Sequence, residues 1–176
     1  MVKINKFTNL HLASKKCFFD LIDYLKENNE KIEIILSGGT SLRYFNKNFK
    51  KFYLPKKINL YLADERIVNS PKYQNSTTLK KIKNKKLFFK NLFKNASIIN
   101  LKKITRSLPK LSYVSVLGVG EDGHIASIFE SGDKIVFDKN LILSKKKNEK
   151  FIRISLSLNY ISKSKKIFLI VSNKKK

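Results

Sequence analysis

Apolar residues first recur at helical spacing: Cys17, Phe18, Leu21, Ile22 and Leu25 share one face of residues 12–27, which read as an amphipathic helix. The period then changes. Ile32-Glu33-Ile34-Ile35-Leu36 is an apolar run of strand length that ends in Ser37-Gly38-Gly39-Thr40, and helix-like sequence resumes from Leu42 to Phe49. A second run, Ile58-Asn59-Leu60-Tyr61-Leu62, ends in Ala63-Asp64-Glu65-Arg66. After a loop through Pro71, helical stretches are expected around 76–83 and 85–93, then a third strand at Ser97-Ile98-Ile99-Asn100-Leu101 and a short helix over 104–110. Tyr113-Val114-Ser115-Val116-Leu117 is a fourth strand that runs into Gly118-Val119-Gly120, with helix expected at 123–129. The Lys-rich segment 145–150 reads as a loop, and the tail offers strands at 151–157 and 166–172 with a short helix between them.

Short apolar runs alternating with helices predict an α/β fold: a single Rossmann-like domain over 1–176, its mostly parallel sheet covered by helices on both faces. No internal repeat or linker interrupts it. Such sheets bind ligands at the carboxyl ends of their strands. The three polar or Gly-rich clusters, 37–41, 64–66 and 118–124, all stand at strand ends and can converge on one site.

A hydrophobic content of 42% supplies a core for one domain of 176 residues. The lone cysteine, Cys17, has no internal disulfide partner, which suits a reducing cytoplasm, and its place on the apolar helix face reads as packing rather than reactivity. No apolar run approaches the roughly 20 residues of a membrane span, and Met1-Val2-Lys3-Ile4-Asn5 lacks the apolar core of a signal peptide. A cytoplasmic protein with no membrane partner is therefore expected.

The net charge of +25 raises nucleic-acid binding as an alternative. Only four of the 38 basic residues are Arg (Arg43, Arg66, Arg106 and Arg153), whereas nucleic-acid readers draw heavily on Arg for bidentate and stacking contacts. Lys and Asn crowd instead into loops such as Asn84-Lys85-Lys86 and Lys145-Lys146-Lys147-Asn148. That distribution fits a compositional bias of solvent-facing positions and argues against a nucleic-acid partner, although the charge would still draw small anions.

Each cluster has a bland reading and a chemical one. Ser37-Gly38-Gly39-Thr40-Ser41 closes a strand and opens a helix; a tight turn needs glycine there in any case, but the free N–H groups of a helix start also hold anions. Asp64-Glu65-Arg66 reads as a surface ion cluster until the scarcity of Arg is weighed: where Lys would serve, this chain uses Lys, so Arg66 points to planar bidentate contact. Gly118-Val119-Gly120-Glu121-Asp122-Gly123-His124 is the sharpest feature. An isolated histidine is usually structural, as we read His11; His124, framed by glycines at a strand end, is placed to take a proton from water, with Asp122 near enough to orient it or a substrate hydroxyl. No second His or Cys stands nearby in sequence, so a protein-bound metal is not expected.

In this order the clusters resemble the 6-phosphogluconolactonase branch of the family shared with glucosamine-6-phosphate isomerase, over about Ile34 to Lys176. Leu117 to Phe129 is similar to the family signature GxGxDGHxASLFP, Asp64 to Val68 to DERxVP, Ser37 to Ser41 to SGGxTP, Arg153 to Leu158 to RITLTLP, and Val171 to Lys176 to VTGxxK. Two of the four arginines fall on these motifs. The isomerases carry a glutamate five residues beyond the histidine, where this chain has Phe129, and usually Tyr where it has Arg66. The resemblance therefore implies a lactone hydrolase of the oxidative pentose phosphate pathway, needing no cofactor, with a small sugar-phosphate lactone as its partner, as a monomer or homo-oligomer.

It further implies His124 as general base and Asp122 as its aid. Ser37, Gly38, Gly39, Thr40, Ser41, Asp64, Glu65, Arg66, Gly120, Gly123, Arg153 and Lys176 would hold the sugar phosphate or the developing charge. An isomerase-like enzyme and a non-catalytic sugar-phosphate binder remain as alternatives. Several family positions differ: Leu42, Asn69 and Glu130 replace prolines, Asn75-Ser76 inverts the usual Ser-Asn, and Asn173 replaces a glycine. Relatives continue past the position of Lys176 into a segment that covers the sheet, so exposed apolar surface or a covering partner is expected.

Overall fold

The computed structural model describes residues 2–39, 41–52, 54–82, 84–94, 100–110 and 112–172. Helix α1 (Leu10–Glu27) starts where the Asn9 side chain accepts the Leu12 N–H at 3.0 Å, a cap that satisfies one of the donors left open at a helix start. Strands β1 (Glu33–Leu36), β2 (Ile58–Leu62), β4 (Leu87–Lys90), β5 (Tyr113–Val119) and β9 (Lys166–Val171) form one sheet in the order β4-β2-β1-β5-β9. Every pairing in it is parallel, and the register sets Ile34 level with Leu60 and Val114. Central strands β1 and β2 read as mostly apolar runs, broken only by Glu33 and Asn59, because both sheet faces are covered.

Helix α2 (Arg43–Lys51) packs with α1, where the ring of Phe18 meets Phe45 and Phe49 edge-on at 5.6 and 5.2 Å. Elsewhere the short helix α5 (Leu158–Ile161) stacks Tyr160 on Tyr113 of β5 with centroids 5.0 Å apart, and the two phenols donate to Pro109 O and Tyr160 O. Ile167, Leu169 and Val171 occupy one face of edge strand β9 and are exposed.

The expected α/β architecture with a mostly parallel sheet is therefore present, and a second sheet accompanies it. Strands β3 (Asp64–Ile67), β8 (Ile152–Leu156), β7 (Leu141–Lys146) and β6 (Gly132–Val136) pair antiparallel in that order. The chain crosses from one sheet to the other at Ala63: its N–H donates to Leu36 O at 2.7 Å and its carbonyl accepts from Leu156 N at 2.8 Å.

Three local expectations are corrected. The helix expected over 85–93 is strand β4, in which Leu87 and Phe89 alternate with Phe88 and Lys90 beside β2. The helix expected over 123–129 is a compact turn, with Ala126 at φ 53 and a bridge between Ile125 and Ile128. The segment 145–150 is only partly a loop, since β7 runs to Lys146. Of the third expected strand, residues 97–99 lie outside the described residues, and Leu101 opens helix α4 (Leu101–Arg106). Helix α3 (Ser76–Lys80) follows a single 3-10 turn at Pro71–Tyr73.

Candidate active site

Strand β5 ends against a turn that holds itself closed. The Gly120 N–H donates to His124 O at 2.8 Å and the Gly123 N–H to Gly120 O at 3.0 Å. This folds the chain so tightly that the Asp122 carboxylate meets His124 two residues on, Oδ1 against Nδ1. A Cβ at position 120 would collide with the imidazole, so only glycine allows the ring its place. The other carboxylate oxygen, Oδ2, receives Lys146 Nζ from the end of β7 at 2.9 Å. That hydrogen bond, followed by those from His124, holds the Asp122 carboxyl well below the usual carboxylate range.

The imidazole is partly open, with 25% of its side chain exposed, and it borders a cavity of about 690 Å³. Ser41 and Arg43 reach this cavity from the start of α2, Gly120 to Asp122 from the β5 turn, Lys146 from β7 and Ser172 from beyond β9. The segments that follow β1, β5 and β9 thus open on one cavity, but the expected convergence of all three clusters is not met, since none of Asp64, Glu65 and Arg66 lines it. Phe129 lies beneath: its ring centroid is 4.9 Å from that of His124, and the charged groups of Lys146 and Arg153 stand 5.6 and 5.4 Å from it.

The Ser37 to Ser41 loop is tied to the same strand end. Ser37 Oγ accepts from Gly118 N at 2.8 Å, and Ser41 Oγ reaches toward Val119 O at 3.5 Å. Gly38 is close-packed, since a Cβ there would lie 2.5 Å from Asn75 Cγ. Thr40 lies outside the described residues.

The Asp64-Glu65-Arg66 cluster stands behind the cavity, joined to the segment after His124 through Ser127. Asp64 is buried, and its Oδ2 accepts from Asn75 Nδ2 at 2.9 Å and Ser127 Oγ at 2.7 Å. Glu65, also buried, accepts the backbone N–H groups of Arg66, Asn75 and Ser76 at 2.9, 2.5 and 2.9 Å. Arg66 donates to Tyr73 O at 2.9 Å and Asn75 Oδ1 at 3.2 Å. The antiparallel register of β3 and β8 places Arg66 directly opposite Arg153, whose guanidinium is held by Glu149 at 2.5 and 3.1 Å. Like charges across a ladder repel; here Glu149 offsets the charge of Arg153, and Arg66 is engaged by the loop at Tyr73 and Asn75.

Three residues of this neighbourhood were not assigned to the site from the sequence: Arg43, Lys146 and Asn75. Arg43 carries a signal in the sequence, since it is one of only four arginines among 38 basic residues. Lys146 hides in a lysine run, and Asn75 binds through contacts nine to eleven residues distant that no local pattern reveals. Lys176 lies outside the described residues.

The sequence profile of the family described as glucosamine-6-phosphate isomerases/6-phosphogluconolactonase matches residues 8–176. The chain belongs to this family. It is similar to a 6-phosphogluconolactonase of Helicobacter pylori, 28% identical over 189 aligned positions that cover 97% of this chain and 82% of that protein. Its fold is that of the crystal structure of a 6-phosphogluconolactonase from Shewanella baltica, at a TM-score of 0.79 and 20% identity, covering 93% of this chain and 78% of the other. A putative 6-phosphogluconolactonase from Neisseria gonorrhoeae matches at the same TM-score with 22% identity, covering 96% and 82%. No helix among the described residues is long and apolar enough to cross a membrane.

Proposed function

We propose that the chain is a cytoplasmic ester hydrolase that converts 6-phospho-D-glucono-1,5-lactone to 6-phospho-D-gluconate, with His124 activating the water. The observation that carries this reading is the His124–Asp122 contact at the mouth of the cavity that closes β5. With Nδ1–H donated to the carboxylate, Nε2 is the acceptor. Water adds to the lactone carbonyl carbon as Nε2 takes its proton, giving a tetrahedral oxyanion and an imidazolium neutralised by Asp122. Collapse re-forms the carbonyl and breaks the bond to the ring oxygen, and the imidazolium returns its proton to that oxygen. The reaction consumes only water, so its chemistry calls for no cofactor.

Phosphate binding is assigned to Arg66, Arg153 and Lys176, with backbone N–H groups of the 37–41 loop, and Asp64 and Glu65 shape the β3 end beside them. Support comes from the cross-strand position of the two arginines. Phe129 favours lactone hydrolysis over the isomerase reaction, because an apolar ring lies against His124 at the position where the isomerases carry a glutamate.

The test is hydrolysis of freshly generated 6-phosphogluconolactone above its spontaneous rate. Wild type should accelerate it, and His124→Ala should lose on the order of 10²–10⁴ of that acceleration. A folded His124→Ala protein with wild-type turnover would remove the central role.

A further inference from the structure

Lys145, Lys146 and Lys147 form a run that charge alone would leave in solvent. Strand geometry separates them. Successive side chains on a strand point to opposite faces, so Ile142, Ser144 and Lys146 share the face of β7 opposite that of the core residues Leu141 and Leu143, while Lys145 and Lys147 are exposed. Ser144 on that face donates to Ser127 O at 2.6 Å, which fastens β7 against the segment that follows His124. Two residues on, Lys146 borders the cavity and sets Nζ 2.9 Å from Asp122 Oδ2. Of the three lysines, Lys146 is the one with an ion pair among the described residues.

Resting on the lactonase reading above, we propose that Lys146 is a positioning residue for catalysis: it holds the Asp122 carboxylate in the orientation that fixes the His124 imidazole. The Asp122 side chain is 45% exposed and sits on a tight turn. With one oxygen on His124 and the other free, it would rotate into water and release Nδ1–H. The contact from β7 removes that freedom by engaging Oδ2, so the carboxylate bridges two cations once the imidazole is protonated. The depressed titration of Asp122, with the Lys146 hydrogen bond as its first cause, fits the same arrangement. Lys146 thereby links the antiparallel sheet, which supplies it, to the parallel sheet, whose strand β5 leads into the turn that carries Asp122 and His124.

The role differs from substrate binding in what it predicts. A lysine that held substrate would raise KM when removed; a lysine that holds Asp122 lowers kcat and leaves KM near its wild-type value. Wild type, Lys146→Ala, Lys146→Arg, Asp122→Asn and the Lys146→Ala/Asp122→Asn double variant would be compared on 6-phosphogluconolactone. Equal urea midpoints would confirm that all are folded, and Lys146→Met would replace an unstable alanine variant. Lys146→Ala should reduce kcat on the order of tenfold, the scale on which outer partners of an active imidazole act. KM should stay within about twofold, and Lys146→Arg should recover most of the loss. In the double variant, losing Lys146 should add little to losing the carboxylate.

A rise in KM without a fall in kcat, or full additivity of the two losses, would overturn the proposal. Nitrogen NMR of the His124 ring supplies a readout independent of turnover. The Nδ1–H tautomer should dominate in wild type and lose its dominance in Lys146→Ala; an unchanged tautomer would refute the positioning role. Wild type without activity would instead refute the lactonase reading, while the ring spectra still report on Lys146.

Discussion

Glu65 offers the clearest separation of a structural role from a substrate role. It is 3% exposed, and its two oxygens accept three backbone N–H groups, from Arg66, Asn75 and Ser76. Glu65→Ala leaves those donors without their acceptor, at about 1–3 kcal/mol for each buried orphan. Against this stands relief from burying a charge, which in the wild type costs several kcal/mol. The net loss expected is about 2–5 kcal/mol. Glu65→Gln keeps the volume and one carbonyl oxygen, which can still serve Arg66 and Asn75, but turns an NH₂ toward the Ser76 N–H. Its loss should be smaller, about 1–3 kcal/mol. Urea unfolding followed by far-ultraviolet circular dichroism would measure both. With a slope of about 2 kcal/mol per molar, Glu65→Ala should lower the midpoint by roughly 1–2.5 M and Glu65→Gln by roughly 0.5–1.5 M. A Glu65→Ala protein within about 1 kcal/mol of wild type, at unchanged slope but with poor turnover, would refute the reasoning. The carboxylate would then belong to substrate binding.

Two further outcomes follow from titrating groups. Because the folded carboxyl of Asp122 sits below the ordinary range, whatever stability it contributes is present above that range and is lost only as pH falls through the lower folded value. The stability difference between His124→Ala and His124→Ala/Asp122→Asn, in which no imidazole titrates beside the carboxylate, should therefore stay constant from pH 7 to 5 in low salt. A difference that vanished between pH 5 and 4.5 would contradict this. Cys17 has the opposite sign: burial, with Asp20 adding to it, pushes its thiol up to about 12. Stability from the neutral thiol is full below the unfolded value and falls as pH rises toward that folded one. Alkylation by iodoacetamide at pH 8 should be slower in the native protein than in urea by at least about tenfold, and equal rates would refute a protected thiol.

The parallel sheet was legible because its inner strands are covered on both faces, so β1, β2 and β5 appear as apolar runs that stand out from a lysine-rich background. The second sheet was obscure for the converse reason. Strand β6 is exposed throughout, and the end of β7 is a lysine run, so neither shows an apolar pattern beyond a few residues. In 123–129 the spacing of Ile125, Ile128 and Phe129 imitates a helix face, while the positive φ of Ala126 breaks it. A pattern of residue types carries no record of which backbone angles a tertiary bond such as Ser127 Oγ to Asp64 enforces. The Asp122–His124 pair was readable because its partners are two residues apart within a glycine frame. The Asp64 and Glu65 contacts were not, since they depend on where the loop through Asn75 lands.

Ala63 gives the two sheets a shared fate. Its amide is protected only while β2 stays beside β1, and its carbonyl protects Leu156 only while β8 stays beneath the crossing. One peptide unit therefore belongs to both ladders, with no loop between them to absorb an independent movement. Deuterium should enter the Ala63 and Leu156 amides with similar opening free energies, near that of global unfolding. The antiparallel sheet is then part of the same cooperative unit as the core, and breathing is confined to its outer strand β6.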